Sequence, residues 1–136
     1  MADTVVLLHW LGRGMEFEAG REGGPTSIVD GNGKAAPSPM VTFLMGLAGC
    51  TASDIIDIAG KMRVALNGFD VRAEGDRWPE PPRRFTKIRL IYRVAGVPAN
   101  DQEKIRRAVQ LSHDKYCSAL HSIRQDIEVK SEVEFS

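Results

Sequence analysis

The sequence has little cysteine, no net charge and no signal-like N-terminal segment, and each absence excludes a class of protein. Two cysteines in 136 residues are too few for a disulfide-stapled secreted scaffold. Its 18 basic and 18 acidic side chains cancel, so the basic surplus that neutralises nucleic-acid phosphates is missing and we expect no nucleic-acid partner. Residues 1–4 carry no basic or long apolar segment, so no signal peptide is predicted. We therefore expect a cytoplasmic protein with one domain, residues 1–136.

One segment resembles a membrane span because residues 35–53 carry no charge. Its apolar stretch is shorter than the about 20 residues that cross a bilayer, and an amphipathic pattern follows, so we expect no membrane association. The pattern predicts a buried core helix from Pro39 to about Leu66, with Ser38 as its N-cap and Asn67-Gly68 as its stop. A helix that is apolar nearly all round must be covered on every side, which predicts a partner subunit.

Alternation of apolar and polar residues predicts strands on both sides of this helix. In chain order the predicted strands are residues 5–10, 15–19, 26–29, 69–74, 85–94 and 127–135. Asp30-Gly31 is typical of a hairpin turn. The strand over 85–94 has a basic face and the one over 127–135 an acidic face. These faces either pair across neighbouring strands or are solvated independently.

A second helix is predicted between the last two strands. Asn100 and Glu103 form a capping box at its start. The inward stripe of this helix consists of Ile105, Ala108, Val109 and Ser112. We expect a break at residues 116–118 and a short helix over Ala119–Arg124. The order of elements predicts a single α+β domain.

Cys50 lies in the third turn of the long predicted helix. Helical spacing places it on one stripe with Phe43, Leu47, Asp54 and Asp57. Taken alone, such a cysteine is either a small buried hydrophobe or a reactive thiol. Reactivity would need a cation nearby, for which Arg13 and Arg21 are the candidates.

Cys117 is predicted to lie at the start of the short helix over Ala119–Arg124, where backbone N–H groups favour a thiolate. Spacing does not decide whether its sulfur meets that of Cys50. His113, Cys117 and His121 follow one another at four-residue intervals and, with Cys50, could form a zinc site. The expected break at Cys117 spoils that geometry, so we favour exposed histidines and expect no metal and no cofactor.

Five stretches together resemble a known family. They are residues 36–41 (APSPMV), 46–52 (GLAGCTA), 85–88 (FTKI), 107–112 (RAVQLS) and 115–118 (KYCS). Their order and spacing are similar to those of the OsmC/Ohr family of osmotically induced and organic-hydroperoxide-resistance proteins, in its small OsmC-like branch. The similarity covers nearly the whole chain and includes two cysteine motifs.

The resemblance implies an OsmC-like fold in which antiparallel sheets surround long central cysteine-bearing helices in an intertwined homodimer. It also implies thiol peroxidase chemistry without a metal or organic cofactor. Cys50 would attack an organic hydroperoxide and become a sulfenic acid, which Cys117 would resolve as a disulfide. A small or lipoyl-type dithiol would then reduce the disulfide.

The sequence departs from the family at one position. Peroxidases of the family carry a glutamate that holds an active-site arginine, and Met40 occupies the matching position here. Either Arg13 or Arg21 would then serve as the arginine, and Phe43, Leu47 and Met40 would favour an organic hydroperoxide over hydrogen peroxide. The alternative is a non-catalytic dimer that binds a small apolar ligand or a partner in the same cleft.

Overall fold

The protein is described by a computed structural model over residues 2–136 and contains two separate three-stranded sheets and two α-helices. The strands are β1 (Val6–Trp10), β2 (Glu16–Arg21), β3 (Thr26–Asp30), β4 (Gly68–Arg77), β5 (Phe85–Ala95) and β6 (Glu128–Phe135). The helices are α1 (Pro39–Lys61) and α2 (Gln102–Leu111). The predicted α+β class is confirmed, and the six predicted strands are present with small shifts at their ends.

The chain divides into two compact units, one ending at Phe43 and the other spanning Leu44–Ser136. In the first unit β1, β2 and β3 form an antiparallel meander. Asp30 does not start a hairpin as predicted, because no strand follows it. Its carboxylate instead accepts hydrogen bonds from the backbone N–H groups of Asn32, Lys34 and Ala35, which folds the connection to α1.

Helix α1 begins as predicted, since the backbone N–H of Val41 donates to Ser38 Oγ at 3.2 Å. It ends at Lys61 rather than near Leu66. Arg63 has a φ of 60°, which is incompatible with a continuing right-handed helix. Met62, Val64 and Leu66 then pack against the core from non-helical backbone.

Burial of α1 is much less complete than predicted. The buried residues are Leu47, Thr51, Ile55 and Ala59, while Val41, Met45 and Ile56 are about half exposed. By length and composition α1 could cross a membrane, with 17% of its most apolar window buried. Asp54 and Asp57 lie in its second half, where charged side chains are unfavourable in lipid.

In the second unit β5 is the central strand, pairing antiparallel with β4 and parallel with β6. The parallel pair corrects the expected all-antiparallel arrangement. The chain between β5 and β6 runs through α2, and a connection of that kind can return the strand in the same direction. Opposed charges pair across β5 and β6: Arg89 contacts Glu132 at 2.8 Å and Arg93 contacts Glu134 at 3.0 Å. The alternative of independently solvated faces is therefore wrong.

Helix α2 presents the predicted stripe to the core, with Ile105, Ala108, Val109 and Ser112 all buried. The capping box is absent, because a 3₁₀ turn over Ala99–Asp101 precedes the helix and no side chain caps it. After α2 a π-helical turn, Ser112–Tyr116, ends at the extended residue Cys117. The short helix expected over residues 119–124 is a single 3₁₀ turn, Leu120–Ser122.

Candidate functional site

The two cysteines meet in the second unit, together with one carboxylate. The Sγ atoms of Cys50 and Cys117 and a carboxylate oxygen of Asp54 all lie within 4.8 Å of one another. Cys50 and Asp54 stand one turn apart on α1, so their side chains share a face of the helix. Both thiols are free. Sulfurs at this separation can form a disulfide after small side-chain rotations.

Ser112 connects the two halves of this cluster. Its hydroxyl donates to Asp54 Oδ2 at 2.9 Å, and its carbonyl accepts the backbone N–H of Cys117 at 2.8 Å. Ser112 is fully buried, so both bonds are protected from water. The π-helical turn after α2 therefore positions Cys117 relative to the carboxylate on α1.

The two thiols differ in exposure. Cys50 is partly exposed, whereas Cys117 has no exposed surface. Burial raises the pKa of the Cys117 thiol to about 11, although the backbone N–H of Leu120, 3.4 Å from its sulfur, acts in the opposite direction. At neutral pH Cys117 is therefore a protonated thiol. The expectation that a helix start makes it a thiolate is wrong, because only one 3₁₀ turn follows and burial dominates.

A buried tyrosine and a partly buried histidine lie near the cluster. Tyr92 on β5 hydrogen-bonds His113 Nε2 through its hydroxyl at 2.8 Å, and the Thr51 hydroxyl lies beside it. Burial raises the pKa of Tyr92 far above its usual value and lowers that of His113. Both groups are therefore uncharged at neutral pH, so they add no charge to the surroundings of Asp54 and Cys117.

The other predicted site residues lie outside the thiol cluster. Arg13 and Arg21 belong to the first unit, where Arg13 Nε donates to Glu16 at 3.2 Å and Arg21 contacts the carbonyl of Asp3. Their role toward Cys50 stays a prediction. Asp57 is exposed and pairs with Lys61 at 3.0 Å.

The four-residue zinc set is not assembled. His113 contacts Tyr92, and His121 is exposed on the 3₁₀ turn. A soft metal ion would instead find two sulfurs and the Asp54 oxygen as its donors. Among residues 2–136 this is the one group of three or more such donors found together.

Sequence reasoning placed Asp54 on the stripe of Cys50 without giving it a role, and it missed Ser112 and Tyr92 as parts of the site. The Cys50–Asp54 spacing was a usable signal, since residues four apart on a helix share a face. No comparable signal exists for Ser112 and Tyr92, which read as core positions of a helix and a strand.

Comparison with known proteins agrees with the fold. The profile of the OsmC-like protein family matches residues 31–132. Protein YhfA of Escherichia coli K12 is 35% identical over 123 residues, which are 90% of each chain.

Solved structures share the architecture. An OsmC-like protein from Mycoplasma pneumoniae superposes with a TM-score of 0.82 at 15% identity, covering 98% of this chain and 97% of that one. An organic hydroperoxide resistance protein from Legionella pneumophila superposes with a TM-score of 0.69 at 22% identity, covering 98% of each chain. On the strength of the profile and the Escherichia coli relative, this chain belongs to the OsmC-like protein family.

Proposed function

We propose that this protein is a thiol peroxidase that reduces organic hydroperoxides with Cys50 and Cys117. The observation that carries the proposal is the pairing of a partly exposed thiol with a buried thiol whose sulfur lies within 4.8 Å. The Legionella pneumophila structural neighbour is named an organic hydroperoxide resistance protein.

The two thiols have different roles in this proposal. Cys50, as thiolate, attacks the terminal oxygen of the hydroperoxide; the O–O bond breaks, the alkoxide leaves and takes up the proton that the Cys50 thiol lost on ionising, and Cys50 becomes a sulfenic acid. The Cys117 sulfur then attacks the Cys50 sulfur, releasing water and forming a disulfide. A dithiol of the lipoyl kind returns both thiols and is itself oxidised to a cyclic disulfide.

The neighbourhood of Cys50 suits an organic substrate. The turn of α1 before it, residues 46–49, carries no charge, and Leu47 in it is buried. A hydroperoxide with an apolar substituent would lose less hydration on entering such a place than hydrogen peroxide would. We accordingly propose organic hydroperoxides as the substrate class.

We further propose Arg13 as the cation that activates Cys50. Family resemblance implies an arginine held by a glutamate, and Met40 cannot hold one. Arg13 already has Glu16 as its partner at 3.2 Å, whereas within residues 2–136 the hydrogen bond of the Arg21 guanidinium goes to the backbone carbonyl of Asp3. Arg13→Ala should slow the first step more than the matched variant Arg21→Ala.

A second copy of the chain is proposed to cover the exposed apolar side chains of β1 and α1. Large contiguous apolar patches on a monomer are typical of interaction sites. A homodimer would bury them without a membrane. A cytoplasmic location fits a thiol pair that must be reduced after each turnover.

Counting free thiols before and after one equivalent of cumene hydroperoxide tests the function. We expect the chain to lose both thiols and form an intramolecular disulfide, and Cys50→Ser to lose none. Cys117→Ser should accumulate a sulfenic acid that dimedone traps. A wild-type chain that keeps both thiols would overturn the proposal and favour the non-catalytic apolar-ligand binder.

A further inference from the structure

Asp54 is the one ionisable side chain of the thiol cluster that the proposed peroxidase chemistry leaves without a role. Its carboxylate lies within 4.8 Å of both sulfurs, and Ser112 holds its Oδ2 atom at 2.9 Å. A carboxylate beside two thiols is unfavourable for forming thiolates, so packing alone does not account for it. Its proximity to both sulfurs points to a role in their reaction with each other.

The buried thiol has a chemical need that this carboxylate can meet. Cys117 must lose its proton to attack, because the thiolate is the nucleophile. Burial raises its pKa to about 11, so only a small fraction ionises spontaneously at neutral pH. A proton acceptor within reach removes that obstacle.

We propose that Asp54 accepts the proton of Cys117 when this thiol attacks oxidised Cys50. The Cys117 S–H bond breaks, its proton passes to Asp54, and its electron pair forms the S–S bond. With a Cys50 sulfenic acid, the S–O bond breaks and the departing oxygen takes the proton from Asp54 to leave as water. The exchange needs no further reactant and restores the Asp54 carboxylate.

The other groups around the cluster are poorly suited to this task. Tyr92 retains its proton because burial raises its pKa, and it already engages His113. His113 points its Nε2 at that hydroxyl. The Ser112 hydroxyl donates a hydrogen bond to Asp54. This bond holds the carboxylate in place, and the carboxylate is the group that can accept the thiol proton.

A disulfide reagent tests this step separately from peroxide chemistry, although the inference rests on the proposed function for its biological use. Reduced full-length protein is mixed rapidly with the coloured aromatic disulfide DTNB. Cys50 attacks first and releases one thiolate; Cys117 then displaces the second, which gives a unimolecular phase. Cys117→Ser should lack the second phase and so assigns it.

We expect Asp54→Asn to slow the second phase on the order of a hundredfold at neutral pH while leaving the first phase within about threefold. The deficit should shrink as the pH rises toward about 11, where Cys117 ionises without help. A merely structural role of Asp54 would not produce that pH-dependent recovery. Asp57→Asn, an exposed carboxylate on the same helix, is the matched control and should change neither phase.

Two further variants test the role of Asp54 if Asp54→Asn does not fold. Asp54→Glu keeps the carboxylate and should retain the second phase within about tenfold of the wild type. Ser112→Ala frees the carboxylate from its hydrogen bond and should slow the second phase only partly. Equal second phases in the wild type and Asp54→Asn, or in Asp54→Glu and an uncharged variant that folds, would overturn the assignment.

The same proteins then separate the two proposals. If Asp54→Asn slows the DTNB second phase but the wild type keeps both thiols after cumene hydroperoxide, the peroxidase function fails and the role of Asp54 in thiol chemistry stands. If the wild type is oxidised by the peroxide and Asp54→Asn resolves its sulfenic acid at the wild-type rate, the role of Asp54 fails and the function stands.

Discussion

The two sheets of this protein have the same number of strands, but they differ in how far their apolar side chains are exposed. In β1 the side chains of Val6, Leu7, Leu8 and Trp10 are between 54% and 59% exposed. In β5 the side chains of Ile88, Leu90 and Tyr92 have no exposed surface. Both strands read as apolar from sequence, yet only β5 has strands on both sides and belongs to the unit that also contains α2.

This difference has a functional meaning. The unit that holds both thiols has a core of its own, which keeps Cys117 buried and its thiol protonated. The first unit, ending at Phe43, leaves most of its apolar surface open, and it contains both candidate arginines. The two thiols and the candidate arginines therefore belong to different units.

The largest effect should come from the core of the second unit. Ile88→Ala should lower the free energy of unfolding by about 2–5 kcal/mol, because it removes a fully buried side chain and leaves a cavity. Leu8→Ala, the matched change on β1, should alter it by less than about 0.5 kcal/mol in the monomer. Urea unfolding at low protein concentration measures both. Equal losses would show that β1 is covered in the protein as it exists in solution.

The next effect concerns the proposed dimer. Leu8→Glu should weaken association by about 3 kcal/mol or more, roughly a hundredfold in dissociation constant, because a symmetric interface loses the side chain twice. Sedimentation measured across a range of protein concentrations reports the change. Trp78→Glu, an equally exposed residue between β4 and β5, is the control and should leave association intact. A monomeric wild type would refute the second copy.

The two units should lose stability in different pH ranges as the solution is acidified. Burial lowers the pKa of His113, so below about pH 6.5 the unfolded chain binds a proton that the folded chain does not, and stability falls. The backbone N–H groups of Ala35 and Asn32 lower the pKa of Asp30. Its contribution is present above about pH 3.9 and is lost as the pH falls through the lower folded value.

Urea midpoints recorded against pH test this order. His113→Gln should flatten the profile just below about pH 6.5, and Asp30→Asn should flatten it only below about pH 3.9. The reverse pattern would mean that Asp30 in the loop after β3, rather than His113, controls the first loss of stability as the pH falls.

The smallest effect should come from the ion pairs of the second sheet. Arg89 contacts both Glu74, at 2.9 Å, and Glu132, at 2.8 Å, but the three side chains are between 35% and 50% exposed. Arg89→Ala should therefore lower stability by less than about 1 kcal/mol, and the loss should shrink in high salt. Arg72→Ala, which removes a pair within β4, serves as the control. A larger, salt-independent loss would indicate packing by the arginine stem.

The elements with a clear period were predictable from sequence. The alternation in β5 and β6, the stripe of α2 and the Ser38 cap of α1 all arise from local spacing, which a sequence displays directly. The end of α1 and the parallel pairing of β6 were not. Each depends on where a later segment packs: Val64 enters the core, and the chain through α2 returns beside β5 in the same direction.

Parts of the site, too, were predictable from local spacing, whereas others depended on tertiary packing. Residue types and helical spacing identified Cys50 and Cys117 and placed Asp54 on the face of Cys50. The protonation of Cys117 was predicted wrongly, because a local signal for a helix start was outweighed by burial from distant segments. The contribution of Ser112 required knowing that a π-helical turn follows α2.

By itself the sequence determined the class of fold, the family and the identity of the two thiols, since these depend on composition, period and motif order. Only the tertiary structure decided that the two sulfurs and a carboxylate converge within 4.8 Å, and that one thiol is partly exposed while the other is buried. The reason is physical: chain spacing governs which face of an element a residue occupies, but long-range packing governs which faces meet and how much water they keep.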